Sequence, residues 1–509
     1  MRFRNPVIPG FHPDPSICRV GEDYYLVTSS FEYFPGVPVF HSLDLIHWRQ
    51  IGHCLTRPSQ LPLEGTQSSH GIYAPTIRFH NGRFYMVTTN VGMVSSDVAR
   101  GGNFYVWTED PAGAWSEPVW VDQEGIDPSL LFDDDGTVYL TSSENRQSVI
   151  DIATGKRLSD VRRSWPGTGG SYLEAPHLYK INGLYYLMAA EGGTGRGHMV
   201  TIARSQAPWG PFEPCPYNPI LSNRALAAGQ LQATGHGDLV QAQDGSWWIV
   251  FLAIREIPGL FPRVHILGRE TCLAPVSWTQ DGWPVVNGTG TAGLEVEADC
   301  LPQHPWEAGP DYDNFDEPAL RPCWNFLRNP RPEDWSLADR KGWLRLTGSA
   351  VTLNDVGSPA FVGRRQQHWN CRACALVEFE PQREGEEAGL SVFMNERHHY
   401  EIAVTRQDGR RCIIVRRRVG ALSDVAARFT VHPGLLELGV RADQHRYRFT
   451  WAHLDHRPSV IAEGETRYLS TETAGGFTGV YFGLHATGNG GRCATPAYFD
   501  WFRYRPVER

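Results

Sequence analysis

Along the first three hundred residues apolar and polar positions alternate in short runs, and one run recurs five times. Each copy is a glycine-containing turn, two bulky and mostly aromatic residues, then apolar residues. The copies are Gly21-Glu-Asp-Tyr-Tyr-Leu-Val, Asn81-Gly-Arg-Phe-Tyr-Met-Val, Asp135-Gly-Thr-Val-Tyr-Leu-Thr, Asn182-Gly-Leu-Tyr-Tyr-Leu-Met and Asp244-Gly-Ser-Trp-Trp-Ile-Val. Asn-Gly and Asp-Gly match the twist of tight hairpins. The copies lie roughly 50 to 60 residues apart, about one propeller blade each, so the pattern predicts a five-bladed β-propeller.

A short strand precedes each hairpin: Asp14-Pro-Ser-Ile, Ala74-Pro-Thr-Ile, Asp127-Pro-Ser-Leu, Glu174-Ala-Pro-His-Leu and His236-Gly-Asp-Leu. Proline is tolerated at a strand's first residue and pushes the residue before it toward extended geometry. In the fifth copy Asp238 is read in the proline's place. In a propeller the first strand of every blade lines the central channel. Asp14, Asp127, Glu174 and His236, far apart in sequence, should therefore meet at one mouth, with Tyr73 from the second copy. A single Asp-Pro is most simply a turn. Three acids at matched positions point instead to a site, because gathering carboxylates in a dry pocket raises their pKa values and needs a purpose.

Two separated carboxylates are the minimum for glycoside hydrolysis, one protonating the leaving oxygen and one activating water; a third can keep the acid protonated. A non-catalytic carbohydrate-binding propeller is the alternative from another class, since propellers host many functions. The retained acids weigh against it.

After Leu301-Pro-Gln-His-Pro-Trp-Glu-Ala-Gly-Pro the pattern changes. Ala373-Cys-Ala-Leu-Val-Glu-Phe-Glu, Leu390-Ser-Val-Phe-Met, Tyr400-Glu-Ile-Ala-Val, Cys412-Ile-Ile-Val-Arg and Tyr447-Arg-Phe-Thr-Trp read as strands, and no long helical period occurs. The expected organisation is all-β, with a propeller over residues 1–305 and a β-sandwich over 306–509. The rival reading makes the second domain an independent carbohydrate-binding module.

Composition narrows the function. The 509 residues are too many for one ordinary core, and 20% charged residues argue against disorder. Aromatics reach 12%, which suits a β-rich protein. A net charge of −9, with no basic run beyond Arg416-Arg417-Arg418, gives a nucleic-acid partner little support. No apolar run approaches a membrane span, and the N-terminus lacks a signal-peptide core, so a cytoplasmic protein is expected. The one C-x-x-C, Cys371 and Cys374, sits in a strand-like run and reads as structural thiols.

Several stretches together carry a specific resemblance. Asn5-Pro-Val-Ile-Pro-Gly-Phe-His-Pro-Asp-Pro-Ser-Ile, Thr28-Ser-Ser-Phe-Glu-Tyr-Phe-Pro-Gly-Val, Gly125-Ile-Asp-Pro-Ser-Leu, Leu173-Glu-Ala-Pro-His, Thr234-Gly-His, Leu267-Gly-Arg-Glu-Thr and the tail Tyr498-Phe-Asp-Trp-Phe-Arg-Tyr resemble family 43 glycoside hydrolases. The likeness is to the β-xylosidase and α-L-arabinofuranosidase branch with a C-terminal concanavalin-like sandwich. It implies Asp14 as general base, Asp127 as pKa modulator and Glu174 as general acid. The family inverts, so Asp14 and Glu174 should stand about 6.5 to 9.5 Å apart. Arg269 resembles an arginine that binds sugar hydroxyls, against a plain ion pair. Phe31 and Tyr73 resemble aromatic walls, with Tyr73 replacing a frequent Trp, and Phe477 lies in the sandwich segment expected to reach the pocket. His236 resembles a histidine that binds Ca²⁺ in the channel, against a buried histidine bonded to the acids; no organic cofactor is implied. The resemblance implies an exo-acting enzyme that releases xylose from the non-reducing ends of β-1,4-xylo-oligosaccharides and also cleaves α-L-arabinofuranosides, with an arabinofuranosidase-dominant enzyme as the alternative; a homo-oligomer is left open.

Overall fold

The computed structural model describes residues 2–92, 101–227, 230–299, 301–307 and 309–507. Five four-stranded antiparallel sheets follow in chain order. Their first strands are Ser16–Val20, Thr76–His80, Ser129–Phe132, Glu174–Ile181 and Leu231–Gln241, and each pairs with the strand of its repeated aromatic hairpin. The bulky residues of each second strand (Tyr24 and Leu26, Phe84 and Met86, Tyr186 and Met188) are buried between sheets, which is why aromatic and β-branched residues recur there. Strand Arg2–Arg4 pairs with Glu295–Glu297, and the Asn5 amide donates to the carbonyls of Leu273 and Gly293 at 2.9 and 3.1 Å. The start of the chain is thus fastened to the fifth blade.

The hairpins divide by turn residue. Asn81-Gly82 and Asn182-Gly183 close two-residue loops with positive φ at both positions. Asp135-Gly136 and Asp244-Gly245 sit in wider loops, where the Asp carboxylate accepts the N–H two residues on, at 2.9 Å in each case. The aspartates therefore build side-chain turns rather than the tight hairpins expected.

The second domain is a sandwich of an eight-stranded and a six-stranded sheet. Their facing residues, among them Val377, Leu390, Ile402, Val415 and Phe449, form one buried cluster with residues of the first two blades. Cys371 and Cys374 are buried free thiols within it or beside it. The domains are also joined by hydrogen bonds: Phe326–Leu327 pairs with Tyr33–Phe34, and Arg365 Nε donates to Phe11 O at 2.6 Å. Among the described residues no helix is long and apolar enough to cross a membrane.

Candidate active site

The acids are placed by the entrances to the first strands, with backbone geometry the sequence did not reveal. Asp14, Asp127 and Ala175 each precede a proline, and instead of ordinary extended geometry they have φ of +55°, +55° and +51°. His236 shares the feature at +48°, which fixes the register of the fifth blade. His236 matches Asp14, Gly237 takes the proline's place, and Asp238 lies one position later, accepting the Ser16 hydroxyl at 2.6 Å. A Cβ at Gly237 would stand 2.7 Å from Ile249 Cδ1, so any larger residue there would displace that side chain. Glu174 stands one residue ahead of the matched position. Left-handed backbone is uncommon for these residues, and its clustering here turns side chains inward at one mouth.

All eight residues singled out in the sequence line one cavity of about 410 Å³: Asp14, Asp127, Glu174, Phe31, Tyr73, Arg269, His236 and Phe477. Sequence reasoning missed Ala74, Ile126, Tyr172, Gly193, Thr194 and His198, which complete it. His198 had one local signal, Gly235, where any Cβ would strike its imidazole at 2.4 Å.

Asp14 is buried, and burial favours its neutral form. Opposing this, Arg269 Nη1 donates to Oδ1 at 2.8 Å, the Ser29 hydroxyl donates to Oδ2 at 2.5 Å, and His236 Nδ1 lies 3.5 Å away. These partners win, holding Asp14 below its ordinary pKa. Glu174 differs: burial, then the charge of Asp14, raise it to about 7, with Arg269 a smaller counterweight. Asp127 is pushed well above the carboxylate range by burial, Glu174 and Asp14, and its described donor is the Ala175 N–H at 3.2 Å. Asp127 and Glu174 thus oppose each other's ionisation, and the pair retains a proton near neutral pH. His236 and His198 are kept neutral chiefly by burial, His198 falling to about 3.

Aromatic rings close the cavity around the base. Phe31 packs 5.2 Å from Tyr73 and 6.1 Å from Phe477, and Arg269 lies between the rings of Phe31 and Phe477 at 5.6 and 5.7 Å. Phe477 comes from the sandwich. The short helix Thr471–Ala474 docks on the fifth blade through Glu472, which accepts from the His265 ring at 2.7 Å. Gly475 and Gly476, with φ of +75° and +85°, then turn the chain inward, and the Phe477 N–H donates to the Ser69 hydroxyl at 2.8 Å.

For Ca²⁺, which prefers several oxygen ligands, the fit is poor. Among the described residues no group of three or more His, Cys, Asp or Glu is arranged to hold a metal ion. His236 faces Asp14, whose carboxylate already takes Arg269. No chemical step is routed through a metal. A larger hollow of about 640 Å³ opens on the sandwich beside Tyr400 and Gly464, but its charged groups pair with each other, Arg417 with Asp424 and Arg446 with Glu463. Chemistry, not size, selects the propeller mouth.

Residues 3–284 match the family described as Glycosyl hydrolases family 43, and residues 312–505 match the Beta xylosidase C-terminal Concanavalin A-like domain. A non-reducing end alpha-L-arabinofuranosidase of Bacteroides ovatus is 46% identical, the match covering 99% of this chain and 95% of that protein. A xylosidase/arabinosidase of Butyrivibrio fibrisolvens is 39% identical, with 99% of each covered. The crystal structure of a xylan beta-1,4-xylosidase from Bacillus halodurans superposes with a TM-score of 0.93 at 35% identity, covering 99% of this chain and 100% of that one.

Proposed function

Since the chain belongs to glycosyl hydrolase family 43, we propose that its pocket removes single xylose units from the non-reducing ends of β-1,4-xylo-oligosaccharides and also cleaves α-L-arabinofuranosides. One observation carries the reading: a single cavity holds a carboxylate kept ionised, Asp14, and a carboxyl raised to about 7, Glu174. These are the two protonation states that inverting hydrolysis needs. Glu174 protonates the departing oxygen while Asp14 takes a proton from water attacking the opposite face of the sugar. Arg269 and the Ser29 hydroxyl hold Asp14 in place and charged. Asp127 sits against the acid and keeps a proton in the pair.

The aromatic walls present flat apolar faces to the C–H faces of a sugar. Phe477, reaching in from the second domain, shortens the cavity, which favours a terminal residue over the interior of a polymer. Xylopyranose and arabinofuranose offer similar hydroxyl patterns to so small a site. The B. ovatus relative supports the arabinofuranoside side and the B. fibrisolvens relative supports both. Rates on xylobiose, an aryl β-xyloside and an aryl α-L-arabinofuranoside test the proposal. Turnover of the first two upholds the xylosidase reading, and the third ranks the sugars. No turnover of any of them would overturn it.

A further inference from the structure

The rim of the pocket carries an aromatic side chain that the chemistry above does not use. Tyr172 lines the cavity although 68% of it is exposed, and its φ is +56°. For a bulky residue that backbone is an outlier, and it persists only where the surroundings enforce it. They do so here on both sides. Buried Glu191 accepts hydrogen bonds from Thr168 N at 2.9 Å and Gly170 N at 2.7 Å, setting the turn that leads into Tyr172. Gly192 N donates to Ser171 O and Glu144 N donates to Leu173 O, both at 2.7 Å, clamping the two neighbours. The ring itself lies over Gly193, where a Cβ would stand 2.9 Å from Tyr172 Cδ2. A buried carboxylate, a strained backbone and a glycine seat thus hold an apolar ring out at the mouth, where hydrophobic packing alone would draw it in.

We propose that Tyr172 is a specificity residue, the stacking platform for the sugar on the leaving-group side. It stands two residues before Glu174, whose carboxyl must meet the glycosidic oxygen. Phe31, Tyr73 and Phe477 cluster instead around Arg269 and the base. The sugar being cleaved fits among those rings, and the next sugar leaves past Glu174 and meets Tyr172. The preferred leaving group is therefore a second pyranose with a free C–H face. This rests on Glu174 as the acid of the proposed hydrolysis.

The test compares xylobiose with β-xylosyl fluoride, which carries no sugar on the leaving side. Tyr172→Ala should raise KM and lower kcat/KM on xylobiose about 2- to 10-fold, the worth of one stacking contact. Its kcat/KM on the fluoride should stay within about 2-fold of wild type, below the effect of a lost ring contact. Tyr172→Phe and Tyr172→Trp should restore xylobiose turnover, because each returns a ring. Wild-type kcat/KM on xylobiose in the alanine variant would overturn the proposal, and so would equal losses on both substrates. Failure of the unmutated protein on both substrates would instead bring down the hydrolase reading beneath it.

Discussion

Replacing Arg269 by Met should move both limbs of the pH–rate profile upward. Methionine removes the charge while leaving a flexible apolar chain between the rings of Phe31 and Phe477, which lie 5.6 and 5.7 Å from the guanidinium. The ion pair lost is short and buried, with 2.8 Å between Arg269 Nη1 and Asp14 Oδ1. An opposite charge this close lowers a carboxyl by about 1–3 pKa units, so its loss costs the ionised base about 1.4–4 kcal/mol. Asp14 must be ionised to work, and its activity is lost as pH falls through its pKa. Raising that pKa therefore moves the acid limb up by about 1–3 units. Arg269 also pulls Glu174 down, as the smallest of the three influences on it, so the alkaline limb near 7 should rise by less. The assay is kcat/KM on an aryl β-xyloside across pH, which reports the free enzyme. If KM rises while both limbs stay fixed, Arg269 only grips sugar hydroxyls, and the electrostatic reasoning fails.

Glu174→Ala should slow xylobiose hydrolysis by about 10²- to 10⁴-fold while largely sparing aryl substrates whose leaving groups need no proton; equal losses on both would refute its role as acid. Asp127 and Glu174 titrate as a pair, and Asp127→Asn removes one of its two charges, so the alkaline limb should fall; a limb that stays or rises contradicts the shared proton. Arg78→Met should destabilise the fold by about 3–5 kcal/mol in denaturant titration, because it strands a buried charge. Asp238 lies fully buried, takes Arg78 at 2.8 and 3.1 Å and the Tyr179 hydroxyl at 2.6 Å, and ties four blades together. A change under about 1 kcal/mol would show that the network is not holding the channel.

The repeat made much of this molecule legible. Asp14, Asp127 and Glu174 could be matched because strand entrances recur at blade intervals, as could Tyr73 in the second copy, whereas the wall role of Phe31 and Tyr73 came from the resemblance to family 43. Phe477 was legible only as a region, since its reach depends on how Glu472 meets His265 across the domains. What stayed hidden was backbone conformation. Nothing in Asp-Pro or Ala-Pro announces φ near +50°, and the ordinary preference before proline points elsewhere. That geometry, together with Gly237 in the proline's place, is what sets the fifth blade's register. Tyr172 and His198 were missed for a different reason: they sit in loops between repeats or between second and third strands, where the hydrophobic pattern carries no signal. Their traces were Gly193 and Gly235, glycines whose missing side chains make room for a ring.

The central claim is that water held by Asp14 displaces the leaving group from the opposite face in one step, with no sugar bound covalently to the protein. Proton NMR of the first minutes of aryl β-xyloside hydrolysis, which releases a single sugar, tests it most directly. The released sugar should appear as α-xylose, its configuration inverted, and only later equilibrate with the β form. If β-xylose appears first, a carboxylate has acted as a nucleophile, and the roles given to Asp14 and Glu174 are wrong.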